Sequence, residues 1–454
     1  MSPSRSLAQP ADVTPLRAPR KAVVLAAGLS SRMAALSKGR SKAMLRVGGL
    51  SLLERCVRTL ETVGISEIVV VLGHDVGRVG SHARAVSRRG TVTVVEARDW
   101  HDGNGRSLAA AEPHVADEEL FLLVTVDHIF EPAALRELLA AGTPAVLIDR
   151  APTPDEWDEG TKVELDDGHA IAFAKTLRSP AIDCGAFLLP PAVFAAHRSA
   201  LAEGDASLAA AVTALAGRLP LRAVDVTPGT WTDVDVPEDV RRARSRLRRS
   251  LGKDGDGPVS RALNRPLSTR LSLLVSDLRV PPDAVSAAVA VLALVAAALL
   301  ASGRGLPGGI AVQAVSVLDG VDGEVARLRL LASPRGAMLD GVLDRLSDVA
   351  IVGALGVWAL GDVEPATAIW LTTLALAGAM LSMATKDRAR ALGLPPAPER
   401  WIGYLLGGRD GRMLVIAVAS VFGSPVAALA VTAATSLLSV AIRVVAVMRR
   451  RGPR

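Results

Sequence analysis

The sequence predicts a Rossmann-like α/β domain followed by an all-α, six-span transmembrane domain. Three observations lead there. Short apolar runs alternate with helical patterns over the first half, as in parallel βαβ units. Six longer apolar runs fill the second half, at roughly 283–301, 307–326, 337–360, 367–385, 412–424 and 426–446. Most approach the ~20 residues that cross a bilayer. Between the halves, residues 241–257 (RRARSRLRRSLGKDGDG) form a basic run and a Gly/Asp linker. At 454 residues the chain is too long for one ordinary domain, and 50% hydrophobic content beside 22% charge fits a soluble part joined to a membrane part. The expected divisions are a disordered lead-in at 1–20, an α/β domain at 21–245, a linker and juxtamembrane helix at 246–282, and the membrane domain at 283–454.

The α/β half begins with Lys21–Gly28 (KAVVLAAG), a buried strand entering a turn of small residues. Backbone N–H groups in such a turn can cradle phosphate oxygens, and Arg32 adds charge. Lys42 follows, then a helical pattern from Leu52. Ile68–Leu72, Val92–Val95 and Leu120–Val126 read as further strands, giving a mostly parallel sheet whose ligands sit beyond the strand carboxyl ends. The last of these runs ends in Asp127-His128, where a metal-binding carboxylate, a helix cap and a satisfied histidine are all open readings. Cys56 and Cys184 have no zinc-site or disulfide spacing, which fits a reducing compartment. The net charge of +6 is mostly Arg in short runs beside apolar segments. Such runs set topology and touch anionic lipid rather than nucleic acid. Residues 258–280 alternate apolar and basic groups, as an interfacial helix does, and Pro281-Pro282 ends it.

In the membrane half, Asp319 and Asp322 are three apart and Asp340 and Asp344 four apart, so each pair shares a helix face. Four carboxylates at the edge of apolar spans need compensation, and together they make an oxygen-rich site for a hard divalent cation. Gly323 and Gly336 leave room for a substrate beside the backbone, and Arg327 offers a planar fork to a phosphate. Arg409 and Arg412, just before a span, are candidates for binding an acceptor's phosphate. Arg-rich segments at 241–249, 386–400 and 448–454 place both termini and the soluble domain in the cytoplasm of a multi-pass cell-membrane protein.

The pattern Asp319-x2-Asp322-Gly323-x2-Ala326-Arg327-x8-Gly336-x3-Asp340-x3-Asp344 resembles the signature of the CDP-alcohol phosphotransferases at every fixed position. The resemblance implies a six-span enzyme that holds a CDP-alcohol by its pyrophosphate through Mg²⁺ (or Mn²⁺) and transfers the phospho-alcohol to an acceptor hydroxyl, releasing CMP. It assigns Asp319, Asp322 and Asp340 as metal ligands, Asp344 as base at the edge of the metal site, and Gly323, Ala326, Arg327 and Gly336 to the nucleotide. A homodimer through the membrane domain is part of the same expectation. The first half resembles the sugar nucleotidyltransferases on Leu25-Ala26-Ala27-Gly28 through Met33, on Lys42 to Gly48 (with Ala43 where that family has Pro), and on Trp231-x-Asp233-x-Asp235-x-Pro237-Glu238-Asp239. That likeness implies nucleotide contacts from Leu25 to Gly28, Asn104 and Ser107. It implies charge compensation by Arg32 and Lys42, metal ligation by Asp127, Asp233 and Asp235, and substrate contacts from Lys162 and Asp183. Asp127-His128 is closer to the inositol-phosphate cytidylyltransferases. As a whole the chain resembles bifunctional enzymes that make CDP-inositol from CTP and inositol 1-phosphate, then transfer its phosphoinositol to a second alcohol phosphate and release CMP. Two alternatives stay open at this point: a CDP-diacylglycerol-dependent phospholipid synthase, and a soluble half that serves as a nucleotide-binding regulatory module.

Overall fold

The computed structural model describes residues 19–28, 41–226, 229–252, 256–393 and 397–449, with the backbone alone for 397–400. Arg32 and the rest of the phosphate loop after Gly28, and nearly all of the expected lead-in, lie outside the described residues. Contacts divide the chain into two units, Met1–Arg244 and Ser245–Arg454.

In the first unit the strands are β1 (Lys21–Leu25), β2 (Arg46–Val47), β3 (Leu50–Ser51), β4 (Glu67–Leu72), β5 (Thr91–Glu96), β6 (Phe121–Thr125), β7 (His128–Phe130), β8 (Ala145–Asp149), β9 (Lys162–Asp166), β10 (His169–Ala174), β11 (Ile182–Leu189), β12 (Arg222–Asp225) and β13 (Trp231–Asp233). The main sheet runs β5-β4-β1-β6-β11-β8-β12-β10-β9. β5, β4, β1 and β6 are parallel, as the alternating pattern predicts. Past β6 the expectation of a mostly parallel sheet needs correction. β11 pairs antiparallel with both β6 and β8, and β10 antiparallel with β12 and β9. The Asp167-Gly168 turn between β9 and β10 leaves no room for a crossover helix, and only antiparallel pairing accepts it. The core is the apolar rows of β1, β4, β6, β8 and β11 with the covering helices, and Phe121 stacks on Phe194 at 5.8 Å. Two small pairs, β2–β3 and β7–β13, stand apart from the sheet.

The second unit is helical. Each of the six apolar runs carries a helix: Pro282–Ala301, Gly305–Leu318, Pro334–Ala359, Pro365–Ala391, Arg409–Val421 and Pro425–Met448. Among the described residues, three are long and apolar enough to cross a membrane: Pro282–Ala301, Pro365–Ala391 and Pro425–Met448. Gly305–Leu318 has 14 residues, about 21 Å at the α-helical rise. The run read as 307–326 is broken at Asp319-Gly320, where a second short helix, Val321–Leu328, begins. Leu330 then takes a positive φ of 52°, and Ser333 caps the next helix through the Gly336 N–H at 3.1 Å. The carboxylate motif therefore sits on interrupted backbone, which apolar surroundings tolerate where it lines a cavity. The buried core is rich in alanine, including Ala293, Ala296, Ala375, Ala417 and Ala428. Small residues let helices approach closely: a Cβ on Gly378 would meet Ser436 Cβ at 2.9 Å.

The juxtamembrane segment forms a short π-helix, Ser260–Asn264, continuing into the helix Arg265–Asp277. Its buried face is polar: Ser260, Asn264, Ser268, Ser272 and Ser276 repeat every four residues. Leu263, Leu267, Leu274 and Leu278 are exposed.

Candidate functional sites

In the α/β unit, a single turn at Lys42–Met44 forms with Ala43 buried inside it and carries Lys42. Lys42 Nζ donates to Asp127 Oδ2 at 3.0 Å and also pairs with Asp235. Asp127 arrives at the carboxyl end of β6. Asp233 and Asp235 arrive on and after β13, and the antiparallel β7–β13 pairing sets Asp233 opposite His128. Asp239 shapes that loop by accepting the N–H groups of Asp235 and Val236, both at 2.8 Å. His128 Nδ1 bonds Thr125 Oγ1 at 2.5 Å and Asp127 Oδ1 at 3.1 Å, and its ring lies against Trp231. Gly185 lies beneath them with φ 72°. A Cβ there would fall 2.4 Å from Thr125 Oγ1 and 2.7 Å from His128 Nδ1, so this position requires glycine.

Ligand atoms of Asp127, His128 and Asp233 lie within 4.8 Å of one another, as do those of Glu159, Asp233 and Asp235. Burial opposes a charge on Lys42, but Asp127, Asp235 and Asp233 outweigh it and raise its pKa. Burial likewise opposes ionised Asp127, yet Lys42 and His128 hold it well below the usual carboxylate range. Burial also works against His128, but Asp233, Asp127 and Asp183 push it up to about 9. Burial raises Asp183 and Asp233 to about 6 each. The adjoining cavity, about 280 Å³, is lined by His128, Glu159, Asp183, Asp233, Asp239 and Arg242 among others. Lys162 is buried over the Trp157 ring at 4.4 Å and donates to the Asp158 carbonyl. Leu25, Ala26 and Ala27 are buried at the end of β1, with Gly28 exposed beyond them. Asn104 Oδ1 accepts the Leu208 N–H at 2.7 Å, and Ser107 is buried in the same short helix.

In the helical unit, Asp319, Asp322, Asp340 and Asp344 all line one cavity of about 350 Å³. Asp322 accepts a hydrogen bond from Ser286. Gly323 also lines this cavity, while Ala326 and Arg327 continue its helix and Gly336 opens the helix that carries Asp340 and Asp344. Arg409 stands among the carboxylates. It pairs with Asp319, contacts Asp344 Oδ1 at 3.4 Å and donates from Nε to Asp348 Oδ1 at 3.0 Å. Arg412 is buried behind it, against Asp348 and the Gly407 carbonyl. Lys386, Arg390 and Arg443 line the same cavity. The fully buried Glu324 accepts from Arg265, from Ser268 at 2.8 Å and from Ser272 at 2.6 Å, while Arg265 also grips Asp256. This clasp ties the juxtamembrane helix to the helix bearing Asp322. Asn264 donates to Ser316 Oγ and to Asp410 Oδ1, each at 3.0 Å.

Residues 22–224 match the MobA-like NTP transferase domain family, and residues 279–450 match the CDP-alcohol phosphatidyltransferase family. A bifunctional IPC transferase and DIPP synthase of Rubrobacter xylanophilus is 38% identical over 95% of this chain and 97% of its own. The chain belongs to the bifunctional IPC transferase and DIPP synthase family. Its counterpart in Aquifex aeolicus is 32% identical over 95% of this chain and 99% of its own. A solved inositol-1-phosphate CTP transferase from T. maritima aligns with 51% of the chain and 97% of itself, at 23% identity and a TM-score of 0.45. As a bifunctional IPC transferase and DIPP synthase family member, the chain joins a nucleotidyltransferase and a CDP-alcohol phosphotransferase.

Several residues of these sites escaped the sequence reading. Asp348 extends the Asp340, Asp344 spacing by one more turn, a signal that was available. Glu324 lies inside the motif itself. Glu159 carried no local signal, because its partners are distant in the chain.

Proposed function

We propose that the α/β unit joins CTP and inositol 1-phosphate into CDP-inositol, and that the helical unit transfers phosphoinositol from CDP-inositol to a second inositol 1-phosphate. In the first step a phosphate oxygen of the alcohol phosphate attacks the α-phosphorus of CTP, the bond to the β-phosphate oxygen breaks, and pyrophosphate leaves. The nucleophile is already anionic, so the site needs positioning and charge compensation more than a base. Lys42 supplies a fixed positive charge there, oriented by Asp127 and Asp235. In the second step an acceptor hydroxyl attacks the β-phosphorus of CDP-inositol, its proton passes to Asp344, and CMP leaves. Arg409, beside Asp344, offers charge to the reacting phosphates, and Lys386, Arg390 and Arg443 give the cavity a basic wall for the acceptor's own phosphate.

Both sites offer the oxygen donors that a hard divalent cation such as Mg²⁺ or Mn²⁺ takes. The donors are carboxylate oxygens, and Asp233 Oδ1 is buried without a hydrogen-bond partner. Asp127, Asp233 and Asp235 would hold it in the first unit, and Asp319, Asp322 and Asp340, with Asp344 at the edge, in the second. When bound, the cation neutralises the pyrophosphate and polarises the phosphorus under attack.

The six helical runs, the exposed apolar side chains along them (Val291, Leu294, Ile369 and Trp370) and the flanking arginines support six spans in the cell membrane, with the α/β unit and both termini in the cytoplasm. A homodimer through the helical unit belongs to the same reading and rests on family membership.

The observation that carries the proposal is that one chain assembles two carboxylate clusters, each with a basic side chain set among them; Asp233 of the first borders one cavity, and the second lines another. The test uses the full-length protein in detergent with CTP, Mg²⁺ and a panel of alcohol phosphates. Inositol 1-phosphate should give both pyrophosphate and CMP, with a water-soluble phosphodiester. Pyrophosphate release confined to another alcohol would overturn the choice of substrate. CMP release that requires CDP-diacylglycerol and gives a lipid product would overturn the second step.

A further inference from the structure

Asp348 is a deeply buried carboxylate behind the transfer cavity, 1% exposed at its side chain. It follows Asp340 and Asp344 at intervals of four on one helix, so the three share a face. Unlike the other two, it does not line the cavity. Its Oδ1 accepts from Arg409 Nε at 3.0 Å, and its Oδ2 lies 3.5 Å from Arg412 Nη2. Both arginines open the helix Arg409–Val421. Gripped at Nε, Arg409 turns Nη1 toward Asp319 and to 3.4 Å from Asp344 Oδ1, while Nη2 is buried and makes no hydrogen bond. A guanidinium is a planar fork, so fixing one edge fixes where the other points.

We propose that Asp348 is a positioning residue for the transfer step: by holding Arg409 from behind, it sets that side chain across Asp319 and Asp344 at the rim of the reacting site. This rests on reading the helical unit as the transferase. A buried ion pair that merely joins two helices would account for the burial. It would not account for the same arginine bridging a carboxylate from each half of the motif.

The test is a double-mutant cycle on the full-length protein in detergent, reading CMP release from whichever CDP-alcohol the wild type accepts. A wrong choice of alcohol then changes the substrate and leaves the cycle intact. Asp348→Asn should lower kcat for transfer by about 10²-fold, the scale of a small misplacement in a reacting site, with KM for the CDP-alcohol changed less than about threefold. In an Arg409→Gln background the same substitution should cost less than about threefold, because its route of action is already gone. The comparison of Arg409→Gln with Asp348→Asn/Arg409→Gln does not depend on the single Asp348 variant, which removes one of Arg409's three carboxylate partners and is the one most prone to misfold. Full loss on top of Arg409→Gln, or wild-type kcat in Asp348→Asn, would overturn the proposal.

Discussion

The two units solve one electrostatic problem with different scaffolds. Each gathers aspartates that would repel one another and sets one basic side chain among them: Lys42 between Asp127 and Asp235, Arg409 between Asp319, Asp344 and Asp348. In the α/β unit the partners come from a turn, the end of β6 and the loop after β13, brought together only by the sheet and the β7–β13 pairing. In the helical unit Asp319 ends one helix, Asp322 opens the next, and Asp340, Asp344 and Asp348 follow at intervals of four on a third, so only the arginine comes from far along the chain. A constellation built on helices writes its geometry into residue spacing. One built on loops exists only after the fold has formed.

The sharpest way to break this comparison is a crossed pair of variants. Asp344→Asn should lower CMP release by about 10³-fold, within the range for losing a general base, while pyrophosphate release from CTP stays near wild type. Lys42→Met should do the reverse, lowering pyrophosphate release by about 10²-fold, as expected for a lost preorganised charge, and leaving transfer from supplied CDP-alcohol unchanged. If either variant lowers both readouts to a similar extent, the two sites are not separate.

A smaller effect tests the clasp. Glu324→Gln leaves Arg265 and Asp256 with an altered partner in a dry setting, and breaking such a buried pair costs about 3 kcal/mol. The helical unit should unfold at lower temperature in detergent, followed by Trp fluorescence, whereas the pyrophosphate readout at low temperature should hold. An unchanged unfolding profile would show that the clasp contributes little.

The smallest effect concerns the thiols. Burial, then the charge of Asp127, pushes Cys56 up to about 12, and burial with nearby carboxylates, Asp183 first, holds Cys184 well above the usual thiol range. Both stay protonated at pH 8, so iodoacetamide should label the native protein at a rate far below that of the urea-unfolded chain. Fast labelling of the native protein at either position would show that the sheet core opens readily.

Much of the architecture was legible because period and length carry it. The strands at Lys21, Ile68, Val92 and Phe121 and the six apolar runs all emerge as elements. The antiparallel half of the sheet was not, since periodicity marks a strand but not the direction in which its neighbour runs. The break at Asp319-Gly320 was hidden because apolar residues continue on both sides of it. Among site residues, Asp319, Asp322, Asp340 and Asp344 share a cavity, and Asp127, Asp233 and Asp235 meet around Lys42. Arg409 was picked out from its place before a span, but its embrace by three carboxylates was not readable, because Asp348 and Arg409 meet only through helix packing.

The inward polar stripe of the juxtamembrane helix moves the working edge of the transferase. Hydropathy alone would start that module at Pro282. Yet Ser268 and Ser272 hydrogen-bond a residue of the catalytic motif, and Asn264 holds two further helices. A gene fragment cut at the first apolar span would discard a wall of its own active site, so a portable transferase, or a transplant onto another soluble partner, has to begin before Asp256.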